Sequence, residues 1–312
     1  MHQFREHHPE FKGFSDFYAQ NVWPILRDRD SERKRAVRKG IFWAIISVLV
    51  LGSGALFINS QYEESFFAMI LFGLTLLAPF AMFSLLTQDI RMETKDRIVG
   101  AIVGYIGWTF KTDVPTFDLT PFRDLFLISK RVDRSNFEDQ LDGIAHGSPF
   151  HSVEAHLEVE TSDSKGNRKW RTVFRGQLMT LDFPTKTFGR TIVLRDKGWF
   201  NQKKRSDMKR IGLVDPVFEK LFEAYGTDQV EGRVILNPAF MQRMVDLEKA
   251  VQGKKIRYGF DKDKLYIAVE TPDQFEAGSM FKPLDAPDRT QKILDEIGAV
   301  YNVVDGILSP TK

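Results

Sequence analysis

The chain has 312 residues, with 44 Lys and Arg against 42 Asp and Glu, no cysteine and 27 phenylalanines. Balanced charge argues against a nucleic-acid binder, which carries a basic excess. The absence of cysteine excludes disulfides, thiolate metal sites and a cysteine nucleophile.

Residues 1–40 read as a cytoplasmic N-terminal segment ending in a basic juxtamembrane cluster. Stretch 27–39 has seven basic residues against three acids. Residues 41–58 and 66–86 then carry no charge. As helices they measure about 27 and 32 Å, which fits a hydrocarbon core of about 30 Å. A buried helix of a soluble domain keeps a polar stripe, and neither stretch has one. The prediction is a two-helix transmembrane hairpin closed by an external loop, 59–65, with a kink at Pro79 tolerated in lipid. The polar residues ahead of the first span exclude a usual cleavable signal peptide. The loop holds Glu63 and Glu64 and no Lys or Arg. Arg33, Lys34, Arg35, Arg38 and Lys39 precede the first span, and Arg91, Lys95 and Arg97 follow the second. The positive-inside bias therefore puts both termini in the cytoplasm.

Residues 87–135 read as a membrane-proximal helical connector. Within it, 98–110 (IVGAIVGYIGWTF) is too short to span. Gly100, Gly104 and Gly107 fall near one helical face, where a second helix or a second copy of the chain can approach closely. Tyr105 and Trp108 suit a membrane interface. The two readings are a helix docked on the rest of the protein and a helix lying in the interface plane.

Residues 136–312 read as a cytoplasmic α+β domain, a mostly antiparallel sheet closed by helices. In 152–160, Val153, Ala155, Leu157 and Val159 alternate with polar residues, the pattern of a half-buried strand. A turn over 163–167 leads to a returning strand, 170–183, with a bulge at Gly176. Another strand covers 191–195. Asp215–Pro216 and Asn237–Pro238 pair an N-cap with proline at the first helical position, starting helices over 216–225 and 238–251. A strand is expected between them, at 229–236. Residues 255–260 and 265–270 form a hairpin, with Ile256, Tyr258 and Phe260 in phase with Leu265, Ile267 and Val269. The last helix starts after Asp285 or Pro287 and buries Ile293, Ile297, Val300, Val304 and Ile307. A pleckstrin-homology-type barrel or sheet suits this order. A doubly wound nucleotide fold does not, because alternating βαβ units are missing.

Several strings, in order, carry a resemblance: NFEDQLDGIAHGSPFHSVEAHLEVE (136–160), VFRGQLMTLDFP (173–184), GRTIVLRD (189–196), VFEKLFEAYGTDQVEGRVILNPAFMQRMVDLE (217–248), KLYIAVE (264–270) and FEAGSMFKPL (275–284). With the basic segment and hairpin, they resemble the bacterial membrane proteins of domain-of-unknown-function family 3137. The resemblance implies an inner-membrane location and supplies no substrate or site residue. Members of that family are often found alongside LemA-family proteins, which implies a membrane-associated partner of that kind.

The histidines at 146, 151 and 156 offer three imidazoles. His146 and His156 face each other only if a hairpin brings them together, and His151 and His156 differ in strand parity, so no metal site is assigned. Glu138, Asp139, Asp142, Asp228 and Glu231 read as loop acids or caps rather than a catalytic pair. Phosphate loops, dinucleotide fingerprints, nucleophile elbows and HExxH are all absent, so no catalytic or cofactor residue is assigned. Two lipid-contact candidates remain. One is the juxtamembrane cluster. The other is 199–210, where Trp199 and Phe200 precede Lys203, Lys204 and Arg205; its alternative is a solvated loop with two tucked rings. The favoured function is a non-enzymatic binding or scaffold module, ahead of an anionic-lipid sensor and a tethered enzyme with an unfamiliar site.

Overall fold

The computed structural model describes residues 3–61, 66–162, 166–183, 189–195, 207–250 and 255–308. It divides into two compact units, Met1–Ile102 with Glu276–Leu294, and Val103–Phe275 with Asp295–Lys312.

The first unit opens with a 3-10 turn, Pro9–Phe11, and α1, Phe14–Asn21. Phe4, Phe11, Phe14 and Tyr18 are buried and make a small aromatic core, with the Phe4 and Tyr18 rings edge-on at 4.8 Å. Helix α2 spans Trp23–Gln61 and α3 spans Phe66–Tyr105. Both are long and apolar enough to cross a membrane, and only 6% of each apolar window is buried. A core helix would be covered, so these surfaces face lipid, and the protein is a membrane protein. Pro79 lies inside α3, which continues unbroken through it. Before its apolar stretch, α2 buries Leu26, Asp30, Arg33, Val37 and Gly40, a stripe at steps of four and three. Strap 276–294 closes on this stripe. Arg33 Nη1 donates to the Met280 carbonyl at 2.7 Å, and Leu284 N–H donates to Asp30 at 3.1 Å.

The second unit is a nine-stranded sheet: β1 Thr109–Asp113, β2 Arg134–Ala145, β3 Ser148–Ser162, β4 Arg168–Asp182, β5 Thr191–Arg195, β6 Lys209–Ile211, β7 Phe222–Gly226, β8 Ile256–Asp261 and β9 Lys264–Glu270. The order is β1-β2-β3-β4-β9-β8-β5-β7-β6 and every pairing is antiparallel. Of the barrel and the sheet that the strand order suited, it is an open sheet. On one face Val153, Ala155, Leu157, Leu178 and Ala268 pack with Phe122, Leu125 and Leu127, from α4 (Thr120–Asp124) and the turn after it. The other face carries Ser152, Glu154, Gln177 and Met179, whose cross-strand pairing puts them on one side. It also carries Phe260, which meets Phe240 of α7 (Pro238–Ala250) at 5.9 Å.

Three helix starts follow local chemistry. Asp215 accepts from Val217 and Phe218 N–H at the start of α5 (Pro216–Leu221), and Asn237 accepts from Phe240 N–H at the start of α7. Asp228 caps Val230 and Glu231 at α6 (Gln229–Ile235). That last helix replaces the strand expected at 229–236, and β7 replaces the end of the helix expected at 216–225. Every β7 residue is buried between β5 and β6, so sheet pairing overrides the local pattern there. Hairpin β8–β9 has the expected phase: Phe260 pairs with Leu265, Tyr258 with Ile267 and Ile256 with Val269. Helix α8, Pro287–Leu308, buries all five residues of its expected stripe.

The stretch expected to be a helical connector is partly sheet. Helix α3 runs on to Tyr105, Gly107 closes it in the left-handed conformation (φ 76°), and β1 follows. Trp108 N–H reaches the Val103 carbonyl and Gly107 N–H the Gly104 carbonyl, the paired bonds that cap a helix end. Trp108 is a core residue, not an interfacial one: its ring lies 4.6 Å from Phe150 and stacks on Tyr301 at 5.8 Å. At Gly100 and Gly104, no atom of the described residues comes within 4 Å of an added Cβ, so neither is in close contact with another helix of the chain.

Candidate functional site

The predicted lipid-contact residues separate on folding. Arg33 is only 6% exposed, and its guanidinium is spent on Asp30 (2.6 Å) and Met280. It is a buried clamp on the strap, a correction to the surface role expected of it. Burial raises the Asp30 pKa, but bonds from Arg33, Lys34 and Leu284 N–H outweigh that and hold the carboxyl down at about 2. Lys34, Arg35, Arg38 and Lys39 remain exposed, with Lys34 also 3.0 Å from Asp30. Trp199, Phe200, Lys203, Lys204 and Arg205 lie outside the described residues.

The histidines do not converge. His146 sits in the β2–β3 turn and meets Asp305 at 2.6 Å; His151 meets Asp142 at 2.7 Å and His156 meets Thr172 at 2.9 Å. Among the described residues, no three His, Cys, Asp or Glu side chains are placed to hold a metal ion.

A surface site that the sequence reading missed lies along β4. Its second half, 176–182, pairs with β9, and the final rung is Thr271 N–H to the Arg175 carbonyl at 3.2 Å. Pro272 comes next and has no N–H to continue the ladder. Gly176 adopts φ 144°, and an added Cβ there would sit 2.1 Å from the Val269 carbonyl oxygen, so only glycine lets the two backbones meet. Beyond this point, residues 168–174 pair with β3 on one side, and among the described residues no strand pairs with the other side. That leaves roughly 23 Å of unpaired strand edge.

Beside this edge runs a groove of about 520 Å³, lined by Thr172–Arg175, Lys255 and Glu270–Pro272. Its acid, Glu270, bonds both Lys255 (3.2 Å) and Arg257. Arg175 pairs with Asp273. The edge itself carries Arg168, Lys169, Arg171 and Arg175 and no acid between them, with Trp170 49% exposed. Arg171 has no carboxylate partner among the described residues. The groove's ionisable groups are thus matched to nearby charges, and on the ribbon Arg168 lies 3.4 Å from Glu160, which leaves exposed Arg171 as the edge cation with no carboxylate pair among the described residues.

Behind the edge lies a buried polar network. Ser152 donates to Gln177 at 2.8 Å, Gln177 to Gln274 at 3.2 Å, and Gln274 N–H to Glu154 at 3.1 Å. Asp139, expected in a loop, is buried in β2 at an irregularity where the register slips between Glu138 and Leu141. Burial, reinforced by the charges of Asp139, Asp273 and Glu138, pushes the Glu154 carboxyl up to about 8 against the bond from Gln274 N–H. A cavity of about 30 Å³ adjoins Gln177 and Gln274, which leaves no room for a substrate.

No curated protein matches the chain. A crystal structure of the mycobacterial trehalose monomycolate transport factor A aligns over 70% of this chain and 98% of that one, at 11% identity and a TM-score of 0.34. That likeness is too slight for a fold or a function to pass from one to the other. Residues 172–308, from β4 through α8, match the family described as "Protein of unknown function (DUF3137)", which supports the assignment of this part of the chain to that family.

Proposed function

We propose that the protein is a membrane-anchored, non-enzymatic binding module whose β4 edge takes an extended, acidic segment of a protein partner as an added strand. The unpaired edge 168–174 supports this reading, because open N–H and C=O groups template a further strand and natural folds normally pair or cover them. A run of cations without an interspersed acid, in which exposed Arg171 has no carboxylate pair among the described residues, favours an acidic segment, and the adjacent groove gives its side chains room. The positive-inside bias favours both termini, and this sheet, on the cytoplasmic side of the inner membrane. A LemA-family protein or a second copy of the chain is a candidate partner, and exposed Arg35, Arg38 and Lys39 suit anionic headgroups beside the anchor.

The chain lacks cysteine, so Thr172→Cys in the full-length protein gives a single crosslinking position at the edge. The expected result in native membranes is one stoichiometric adduct, joined through an acidic peptide and lost when Arg168, Lys169 and Arg171 are all changed to Glu. Adducts that survive the charge reversal, or no adduct, would refute the edge as the binding surface. An adduct of the chain with itself would identify the partner as a second copy.

A further inference from the structure

The strap 276–294 holds a short loop, 279–283, against α2 and α8. Arg289 Nη2 donates to the carbonyls of Ser279 (2.8 Å), Lys282 (3.3 Å) and Pro283 (3.3 Å), while Arg33 holds Met280. Met280 and Leu284 are buried on either side, yet Phe281 between them is 65% exposed. Its ring stacks on Phe83, with centroids 5.0 Å apart and planes 7° from parallel.

Phe83 fixes the depth at which that ring lies. It belongs to the uncharged stretch 66–86, three residues before its end, about 4.5 Å inside at the helical rise. It also abuts Gly40, where an added Cβ would lie 2.8 Å from the Phe83 ring. Gly40 immediately precedes the other uncharged stretch, and the exposed cations Arg38 and Lys39 precede it. Phe83 therefore marks the level at which both apolar stretches end and the charged residues begin, and Phe281 shares that level.

We propose that loop 279–283 is a third membrane contact, with the Phe281 ring seated in the bilayer at the rim of the two spans and Arg38 and Lys39 at headgroup height beside it. The occupant of the exposed face is lipid because the apolar surface of α2 and α3 continues into it: Phe42 and Leu85 are also exposed. A rigidly held loop that presents an aromatic ring at this depth loses little freedom on insertion, and aromatic rings favour the boundary between acyl chains and headgroups. The strap is thereby fixed to the bilayer as well as to α2.

Full-length single-cysteine variants, spin-labelled and reconstituted in vesicles of phosphatidylcholine and phosphatidylglycerol, test this. A label at Phe281→Cys should be relaxed by oxygen and shielded from a water-soluble nickel complex, as at Leu85→Cys. A label at Val214→Cys, 93% exposed in the other unit, should show the reverse. If 281 behaves like 214, the loop lies in water and the proposal fails. Phe281→Trp keeps a ring in place. It should add quenching by lipids brominated high on the acyl chain beyond that of the five native tryptophans. No added quenching would overturn the assignment independently.

Discussion

Replacing Glu154 with glutamine should stabilise the sheet unit, and by an amount set by pH. The side chain is 3% exposed on β3, and its carboxyl is lifted from 4.5 to about 8. Between those values the folded protein holds a proton that the unfolded chain has released, so stability falls as pH rises through the window and the cost vanishes below it. At about 1.4 kcal/mol per decade of proton concentration, keeping Glu154 in the fold costs roughly 3 kcal/mol at pH 7 and roughly 5 kcal/mol at pH 8 and above. Glutamine retains an oxygen to accept from Gln274 N–H and never ionises. Thermal unfolding of the full-length protein in detergent, followed by tryptophan fluorescence, should show a wild-type midpoint that drops between pH 5 and pH 8. The variant should hold a flatter midpoint and coincide with wild type near pH 4. Parallel curves for the two proteins would refute the buried, proton-holding Glu154.

Arg33→Met should cost about 1–3 kcal/mol, because it removes the main partner of the Asp30 carboxylate while Lys34 and Leu284 N–H still bond it. Hydrogen exchange should then rise selectively in peptides covering 276–294. Asp30 itself, held at about 2, contributes stability above the ordinary carboxylate range and loses it only as pH falls through about 2, so the strap should stay closed at every neutral or mildly acidic pH. Gly176→Ala forces φ 144° on a residue with a Cβ and drives that Cβ into the Val269 carbonyl. Backbone strain alone is worth about 1–3 kcal/mol, and the loss should appear as faster exchange along β9.

How much of this was legible in the sequence depended on how local each cause is. The spans, the proline-headed helices, the β8–β9 hairpin and the apolar stripe of α8 rest on neighbours within a turn or a hairpin, and residue types settle them. The aromatic core of Phe4, Phe11, Phe14 and Tyr18 was not read from the sequence, because polar residues surround each ring and mask the steps of seven, three and four. The assignments that went wrong involve partners far apart in sequence. Phe222–Gly226 becomes a strand because β5 and β6 flank it, and Arg33 leaves the surface because the Met280 carbonyl of the strap receives it. Trp108 turns inward because Phe150 and Tyr301 make its pocket.

The site divides in the same way. Residues 168–175 display their cations and alternating apolar residues in the sequence, but an edge is open only if no strand lies beside it. That was decided by β9 ending at Glu270 and Pro272 breaking its ladder, almost a hundred residues further along the chain. By itself the sequence determined that this protein enters a membrane, because a run of uncharged residues long enough to cross hydrocarbon needs no tertiary partner. Only the tertiary structure decided which strand edge has no partner among the described residues, which arginine is buried and which phenylalanine of the strap stands exposed beside the spans. Each of these depends on what another part of the chain covers or leaves bare.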